Sequence, residues 1–279
     1  MKATGTLFVV ATPIGNLTDI SQRAIDTLAS VDLIAAEDTR HSQRLLQQFS
    51  ITTRMLSLHD HNEQQRARQL IDLLDEGQQI ALISDAGTPL ISDPGYGLVS
   101  QCRQAGHRVV PIPGACAAIA ALSASGLPTD KFRFCGFLPV KQQAREDALN
   151  ALADSQETCI FYEAPRRVLD TMQMISAVLG EERHIVLAKE LTKAFETFQS
   201  GSAASISDWL RADEVHQKGE FVLMIGPAKI REEGIPADAE RLLRTLCGEL
   251  PLKKAAALVA AHYDLKKNQL YQLGLTLGL

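Results

Sequence analysis

Thr6-Leu7-Phe8-Val9-Val10-Ala11 is an unbroken apolar run, and it passes directly into the turn-rich loop Thr12-Pro13-Ile14-Gly15-Asn16-Leu17-Thr18-Asp19-Ile20-Ser21. An apolar run of this length without alternation reads as a strand buried on both faces. The segment behind the loop places Ala24, Ile25, Leu28 and Ala29 on one side of a helix. The same unit recurs outward along the chain. Val31 to Ala36 is a second strand. A helix over 62–76 carries Ala67, Leu70, Ile71 and Leu74 at i, i+3, i+4, i+7 and is stopped by Gly77, and Ile80–Ile83 and Val109–Ile112 are further strands. Buried strands alternating with helices predict a mainly parallel sheet covered on both faces.

The stretch Gly126 to Lys131 closes this set, and a second α/β set follows. Its predicted strands lie near 133–137, 158–162, 183–188 and 220–225, and its helix places Val168, Met172, Ile175 and Leu179 on one face. Beyond Pro227 the strand pattern stops. The predicted organisation is an N-terminal α/β domain over 1–127, a second over 128–230 and a C-terminal helical module over 237–279.

With 279 residues, 46% apolar and 22% charged, the chain has globular composition, which excludes a disordered or fibrous protein. A net charge of −5 argues against coating nucleic acid or an anionic membrane by bulk charge. That sum conceals an asymmetry, since residues 251–279 hold four lysines against one aspartate. The five cysteines, Cys102, Cys116, Cys135, Cys159 and Cys247, are widely spaced with no C-x-x-C pair, so neither a disulfide framework nor a cysteine-based zinc site is expected. No apolar run approaches the roughly 18 residues that cross a bilayer, and a cytoplasmic location is expected.

Ligands in open α/β sheets sit outside the carboxyl ends of the strands, which directs attention to the loops there. The first, 11–21, matches neither G-x-G-x-x-G nor the P-loop pattern and reads as a turn capped by Asp19 or Ser21. The second runs from Ser84 to Gly95 and packs two aspartates, three hydroxyl residues and two glycines into twelve positions. Gly87 lets a ligand approach the backbone and Asp85 can accept hydrogen bonds from an amine or a ribose, with consecutive Asx turns as the plainer alternative. The third, Pro111 to Ala118, opens a helix with small residues, leaving free N–H groups and room for a flat ligand, or else close packing on the sheet. Charged groups follow strands again in Phe161-Tyr162-Glu163-Ala164-Pro165-Arg166-Arg167 and Ala188-Lys189-Glu190-Leu191-Thr192-Lys193. Polar clusters stand at Glu37–His41 and His59–Glu63. His59-x-His61 on a strand would aim both imidazoles at one face, but no third ligand is supplied by spacing, so no metal is expected.

In the tail, residues 251–262 read as a helix, Tyr263-Asp264-Leu265 as a turn and 266–271 as a second helix that opens with cations. This is helix-turn-helix spacing, open to nucleic-acid contact or to simple hairpin packing.

Five motifs in order, Ala11–Leu17, Glu37–Arg40, Ser84–Pro89, Ile112–Gly114 and Lys189–Lys193, closely resemble the small-subunit ribosomal RNA 2′-O-ribose cytidine methyltransferases of the tetrapyrrole methylase superfamily, over essentially the whole chain. The resemblance implies two α/β domains with S-adenosylmethionine held in the cleft between them, in a homodimer, with small-subunit ribosomal RNA or the small ribosomal subunit as partner. By position it implies cofactor contacts from Pro13, Asp85, Ala86, Gly87, Thr88, Pro89, Leu90, Cys116, Ala117, Ala118, Tyr162 and Ala188. Wider superfamily members often carry Gly-Asp-Pro where this chain has Gly87-Thr88-Pro89, which leaves Asp85 as the acidic group there. Methyl transfer from a sulfonium to an alcohol needs alignment and help with a proton, without a metal or a covalent nucleophile. The candidate bases and charge-stabilising groups are Glu37, Asp38, Arg40, His59, Glu163, Arg166, Lys189 and Glu190. The alternative within the superfamily is a tetrapyrrole C-methyltransferase, and outside it a cofactor-sensing regulator that binds DNA through its tail.

Overall fold

The protein is described by a computed structural model covering residues 5–59, 61–229 and 235–279. Asp60 of the His59–Glu63 cluster, the first four residues and 230–234 lie outside the described residues. The chain divides into two compact units, Met1–Lys229 and Ile230–Leu279.

The first unit opens with β1 (Thr6–Val10), α1 (Gln22–Ser30), β2 (Leu33–Ala36), α2 (Thr39–Gln48), β3 (Met55–Ser57), α3 (Glu63–Asp75), β4 (Gln79–Ile83), α4 (Tyr96–Gln104), β5 (Arg108–Ile112) and α5 (Ala117–Ser125). Its strands form one sheet in the order β3-β2-β4-β1-β5 with every pair parallel, as the unbroken apolar runs predict. Strand alternation divides the core between two faces. Leu33 and Ala35 meet Leu70, Leu74 and Leu98 of α3 and α4, while Ile34 and Ala36 meet Leu28 and Leu46 of α1 and α2.

The second sheet is built from β6 (Phe132–Phe137), β7 (Thr158–Glu163), β8 (Ile185–Lys189), β9 (Thr197–Gly201) and β10 (Phe221–Ile225), with α6 (Gln142–Asn150), α7 (Val168–Leu179) and α8 (Ala203–Ala212) in the connections. Its order is β6-β7-β10-β8-β9, and only β6–β7 is parallel; β7–β10, β10–β8 and β8–β9 are antiparallel. A buried run such as Phe221-Val222-Leu223-Met224-Ile225 has the same pattern in either direction, so periodicity does not carry strand polarity. The edge strand β9, Thr-Phe-Gln-Ser-Gly, is half-exposed and polar and has no sequence signal of this kind.

One face of this sheet is covered by α6, α7 and α8. The other is covered by α5, which follows the first sheet in sequence yet packs Ala118, Ala121 and Leu122 onto Ile160, Val186, Val222 and Met224 of the second. The small residues of α5 permit that close approach and join the two sheets into one core.

The second unit holds α9 (Ala237–Cys247), α10 (Leu252–Tyr263) and α11 (Lys267–Thr276), packed through Leu243, Ala255, Ala256, Val259 and Leu270. Asp264 turns the chain between α10 and α11 in the left-handed conformation (φ 52°), and the Leu265 N–H returns to the Ala260 carbonyl at 2.9 Å.

At the entry to β1, Gly5 lies against the end of α3: its N–H donates to the Leu74 carbonyl at 2.8 Å, and a Cβ there would stand 2.2 Å from the Gln78 carbonyl oxygen. These neighbours are backbone and cannot swing aside. Gly5→Ala is therefore expected to destabilise the fold by about 1–3 kcal/mol, measured by urea denaturation.

Candidate active site

The loops at the carboxyl end of the first sheet are joined by backbone pairing. Thr12 and Gly87 exchange reciprocal hydrogen bonds of 2.9 and 3.1 Å, and the Thr12 hydroxyl donates to the Ser84 carbonyl at 3.3 Å. Gly87 holds a positive φ of 83°, which an L side chain rarely adopts. Thr88 Oγ1 donates to the Ala115 carbonyl at 2.9 Å, tying the second loop to the turn before α5. In the first loop Asn16 caps a short 3₁₀ turn over Leu17–Asp19 and Ser21 caps α1 through the Ala24 N–H, so Ser21 rather than Asp19 fills the capping role.

Between these loops and the second sheet lies a cavity of about 440 Å³, within the range of small-molecule sites. Ile14 enters from the β1 loop; Ala86, Gly87, Thr88, Ile91, Ser92 and Asp93 from the β4 loop; Cys116 and Ala117 from the start of α5. The second sheet contributes Phe137, Tyr162, Glu163, Ala164, Pro165, Leu191, Glu220, Phe221 and Val222. Leu90, Ser92, Glu190 and Thr192, all in these loops, hold positive φ values of 74°, 72°, 53° and 66°. Such conformations cost of order 1–3 kcal/mol each and persist where surrounding structure imposes them, typically at functional sites.

Phe134 and Phe137 pack edge-on against Tyr162, with ring centroids 5.0 and 5.7 Å away. Burial pushes the Tyr162 phenol up to about 12, although the Ala118 amide hydrogen-bonds to its oxygen in the opposing sense. It remains protonated at neutral pH. The start of α5 has no side-chain cap from Cys116, and of its first-turn amides that of Ala118 is taken by Tyr162.

The carboxylates around the cavity have distinct environments. Asp38 accepts two hydrogen bonds from the Arg40 guanidinium and one from its backbone N–H, and those side-chain bonds hold its carboxyl at about 2. The Asp38 N–H donates to Asp85 Oδ1 at 3.1 Å, and the Asp85 N–H to Glu37 Oε2 at 3.4 Å, linking the ends of β2 and β4. Glu163 is fully buried, ion-paired with Arg167 at 2.7 Å, and accepts from the Thr171 hydroxyl at 2.8 Å. Burial raises Glu190, but hydrogen bonds from Lys193 and the Glu220 N–H outweigh it and hold the carboxyl below its ordinary range.

Asp93 differs from all of these. Half-buried beside Glu37 and Asp85, its carboxyl is pushed up to about 6 by desolvation and the two like charges, against a lowering contribution from the Ser84 hydroxyl.

Of the residues singled out from sequence, Ala86, Gly87, Thr88, Cys116, Ala117, Tyr162 and Glu163 line the cavity together. Pro13, Pro89, Ala118 and Ala188 are buried behind its wall, Leu90 and Asp85 are half-buried beside it, and Lys189 is buried at the end of β8. Glu37, Asp38, Arg40, His59, Arg166 and Glu190 lie outside the lining, with Arg40 and Arg166 exposed. His59 and His61 follow β3 rather than lying on a strand, so alternation does not orient them; their rings meet edge-on at 6.0 Å. Asn62 Oδ1 accepts the His59 N–H, its Nδ2 faces His59 Nε2 at 3.1 Å, and His59 Nδ1 is buried with no partner among the described residues. Among the described residues no group of three His, Cys, Asp or Glu side chains is arranged to hold a metal. Sequence reasoning missed Asp93, Ile91 and Phe137; the second aspartate in the Ser84–Gly95 stretch was the available signal for the first.

Residues 6–207 match the family model described as Tetrapyrrole (Corrin/Porphyrin) Methylases, and residues 233–278 match that described as RsmI C-terminal HTH domain. Ribosomal RNA small subunit methyltransferase I of Escherichia coli O157:H7 is 57% identical over 271 residues, 97% of this chain and 95% of that protein. The protein of the same name from Vibrio cholerae serotype O1 is 58% identical over 270 residues, 96% of this chain and 94% of that protein. Among solved structures, a cobalt precorrin-4 methyltransferase superposes with a TM-score of 0.58 at 16% identity, covering 79% of this chain and 94% of its own. Diphthine synthase superposes with a TM-score of 0.63 at 13% identity, covering 81% and 90%. At such identities the structural likeness is one of fold.

Because the folded Asp93 carboxyl is raised from 3.8 to about 6, its ionisation opposes folding above that range. Asp93→Asn is expected to raise the melting temperature by a few degrees above about pH 6, with half-exposure limiting the gain. The gain should grow as pH rises from 3.8 to about 6 and vanish below 3.8, where the carboxyl becomes protonated in both the folded and unfolded states, and calorimetric scans across pH check it.

Proposed function

The chain belongs to the tetrapyrrole methylase family, and on that premise we propose that it transfers a methyl group from S-adenosylmethionine to the ribose 2′-hydroxyl of a cytidine in small-subunit ribosomal RNA. The observation that carries this reading is the near-complete, majority-identity match to relatives named ribosomal RNA small subunit methyltransferase I, extending through both units. A second one favours RNA over a tetrapyrrole. The cobalt precorrin-4 methyltransferase is matched over 94% of its length by 79% of this chain, so this protein carries about a fifth more than the shared fold. The helical unit, matched over 233–278, falls outside the tetrapyrrole methylase match over 6–207.

The cavity suits the cofactor in size and chemistry. Ile14, Ala86, Leu191 and Val222 offer apolar wall to a flat base and ribose, and the start of α5, left uncapped by the Cys116 side chain, offers backbone donor capacity. When bound, S-adenosylmethionine supplies an electrophilic methyl group. The residues of this chain then bind, orient and exclude water: Tyr162 stays a hydrogen-bond donor, and the Phe134–Phe137 pair fixes its ring. The exposed guanidiniums of Arg40 and Arg166 are assigned to RNA phosphates. Glu163, engaged by Arg167 and Thr171, and Glu190, engaged by Lys193, are assigned to holding the loops that form the cavity.

In the second unit, Lys253, Lys254, Lys266 and Lys267 are exposed at the starts of α10 and α11, whose first turns contain no acidic residue. No ion pair engages these four lysines among the described residues, whereas Arg241 and Arg244 pair with Asp238 and Glu240. Cations at helix N-termini oppose the helix dipole, and a nucleic-acid phosphate relieves that repulsion. The same reading makes the enzyme a cytoplasmic homodimer, a state open to sedimentation analysis.

Radiolabelled S-adenosylmethionine supplied with small ribosomal subunits lacking the modification should yield label in a 2′-O-methylcytidine after nuclease digestion. Transfer to a tetrapyrrole with none to RNA overturns the reading. Replacing the four lysines by glutamine should weaken RNA binding at least tenfold and flatten its salt dependence, while S-adenosylhomocysteine affinity stays unchanged. Equal loss of both would assign the unit a structural role instead.

A further inference from the structure

Three carboxylate residues line the cavity: Asp93, Glu163 and Glu220. Two already have cations. Glu163, with no exposed side-chain surface, is ion-paired to Arg167 at 2.7 Å and takes the Thr171 hydroxyl on its other oxygen. Glu220 is largely exposed and paired to Lys193 Nζ at 3.0 Å. Both carboxylates thus already have oxygens engaged by charged or hydroxyl donors. Among the described residues Asp93 alone of the three is in no ion pair; the nearby polar group is the neutral Ser84 hydroxyl.

The backbone presents Asp93 deliberately. Leu90 and Ser92 both adopt the left-handed conformation on either side of Ile91, and the strained turn brings Ile91, Ser92 and Asp93 onto the cavity wall opposite the second sheet. Strain of this kind, imposed on non-glycine residues at a cavity, indicates that the placement of the side chain matters.

We propose that Asp93 is the catalytic base that removes the proton from the hydroxyl undergoing methylation, a proposal resting on the methyl-transfer reading above. The groups facing it account for its suitability. Glu37 and Asp85, from the loops after β2 and β4, add like charge, and the Tyr162 phenol lines the same cavity from β7. Together with desolvation, the like charges raise the carboxyl to about 6, so at neutral pH it is ionised yet about a hundredfold more basic than an ordinary aspartate. Asp38, held at about 2 by Arg40, is too weak a base for this role, and the Tyr162 phenol, at about 12, keeps its proton.

The step balances without a further reactant. The hydroxyl oxygen forms its bond to the methyl carbon as its proton passes to an Asp93 oxygen. The electron pair of the breaking sulfur–carbon bond remains on sulfur, which becomes a neutral thioether. A cation and a carboxylate are thereby converted to neutral products, and Asp93 returns its proton to solvent before the next turnover.

The test measures single-turnover methylation of small ribosomal subunits by the full-length protein and by Asp93→Asn and Asp93→Glu, from pH 5 to 9. Calorimetric affinities for S-adenosylhomocysteine are measured alongside. The wild-type rate should rise through an apparent pKa near 6 and level off. Asp93→Asn should lose about 10²–10⁴-fold in rate and lose that ascending limb, while its S-adenosylhomocysteine affinity stays within about threefold. Asp93→Glu should recover part of the rate together with the pH dependence. A rate within a fewfold of wild type in Asp93→Asn overturns the proposal, as does a parallel fall in S-adenosylhomocysteine affinity, which would make Asp93 a cofactor contact. A wild-type protein that methylates no RNA overturns instead the reading on which the proposal rests.

Discussion

The reciprocal backbone pair between Thr12 and Gly87 holds the site together. It joins the loops leaving two adjacent parallel strands, β1 and β4, just beyond the ends of their ladder. From the Gly87 side the chain continues to Thr88, whose hydroxyl bonds the turn before α5, and then through the left-handed residues Leu90 and Ser92 to Asp93. From the Thr12 side it continues to Ile14, which lines the cavity with its side chain against Gly87. Gly87 can serve here because it lacks a Cβ in a backbone conformation that side chains resist.

The second constraint is that a helix of the first half covers the sheet of the second. The alanines of α5 let its backbone approach β7, β8 and β10 closely, so the start of this helix and the ends of those strands border one cavity. The packing that stabilises the unit therefore also sets the width of the site. Charges there are mostly neutralised locally, Asp38 by Arg40, Glu163 by Arg167 and Glu190 by Lys193, and the Asp93 carboxylate stands without a cation among them. In a half-buried setting, that imbalance gives one aspartate a different acidity from its neighbours.

Much of this was legible from residue order alone. The apolar runs identified β1, β2, β4 and β5 of the first sheet, though not the three-residue edge strand β3; their uninterrupted character predicted parallel pairing, and the composition of the Ser84–Gly95 and Pro111–Ala118 stretches marked loops that border the cavity. The antiparallel course of most of the second sheet was not legible, because Phe221–Ile225 presents the same apolar faces whichever way it runs. Neither was β9, a half-exposed polar edge strand held mainly by its pairing with β8.

Residue chemistry and spacing by themselves determined most of the strand–loop–helix units, the family resemblance and the loops that border the cavity. Only the tertiary structure decided which acidic groups remain uncompensated. Glu163 and Asp93 look alike as carboxylates placed after or within a strand-end loop, yet one is surrounded by Arg167 and Thr171 and the other by Ser84, Glu37 and Asp85. A side chain's basicity follows from its burial and from the charges within a few ångströms, and segments distant in sequence supply those charges only once the chain has folded.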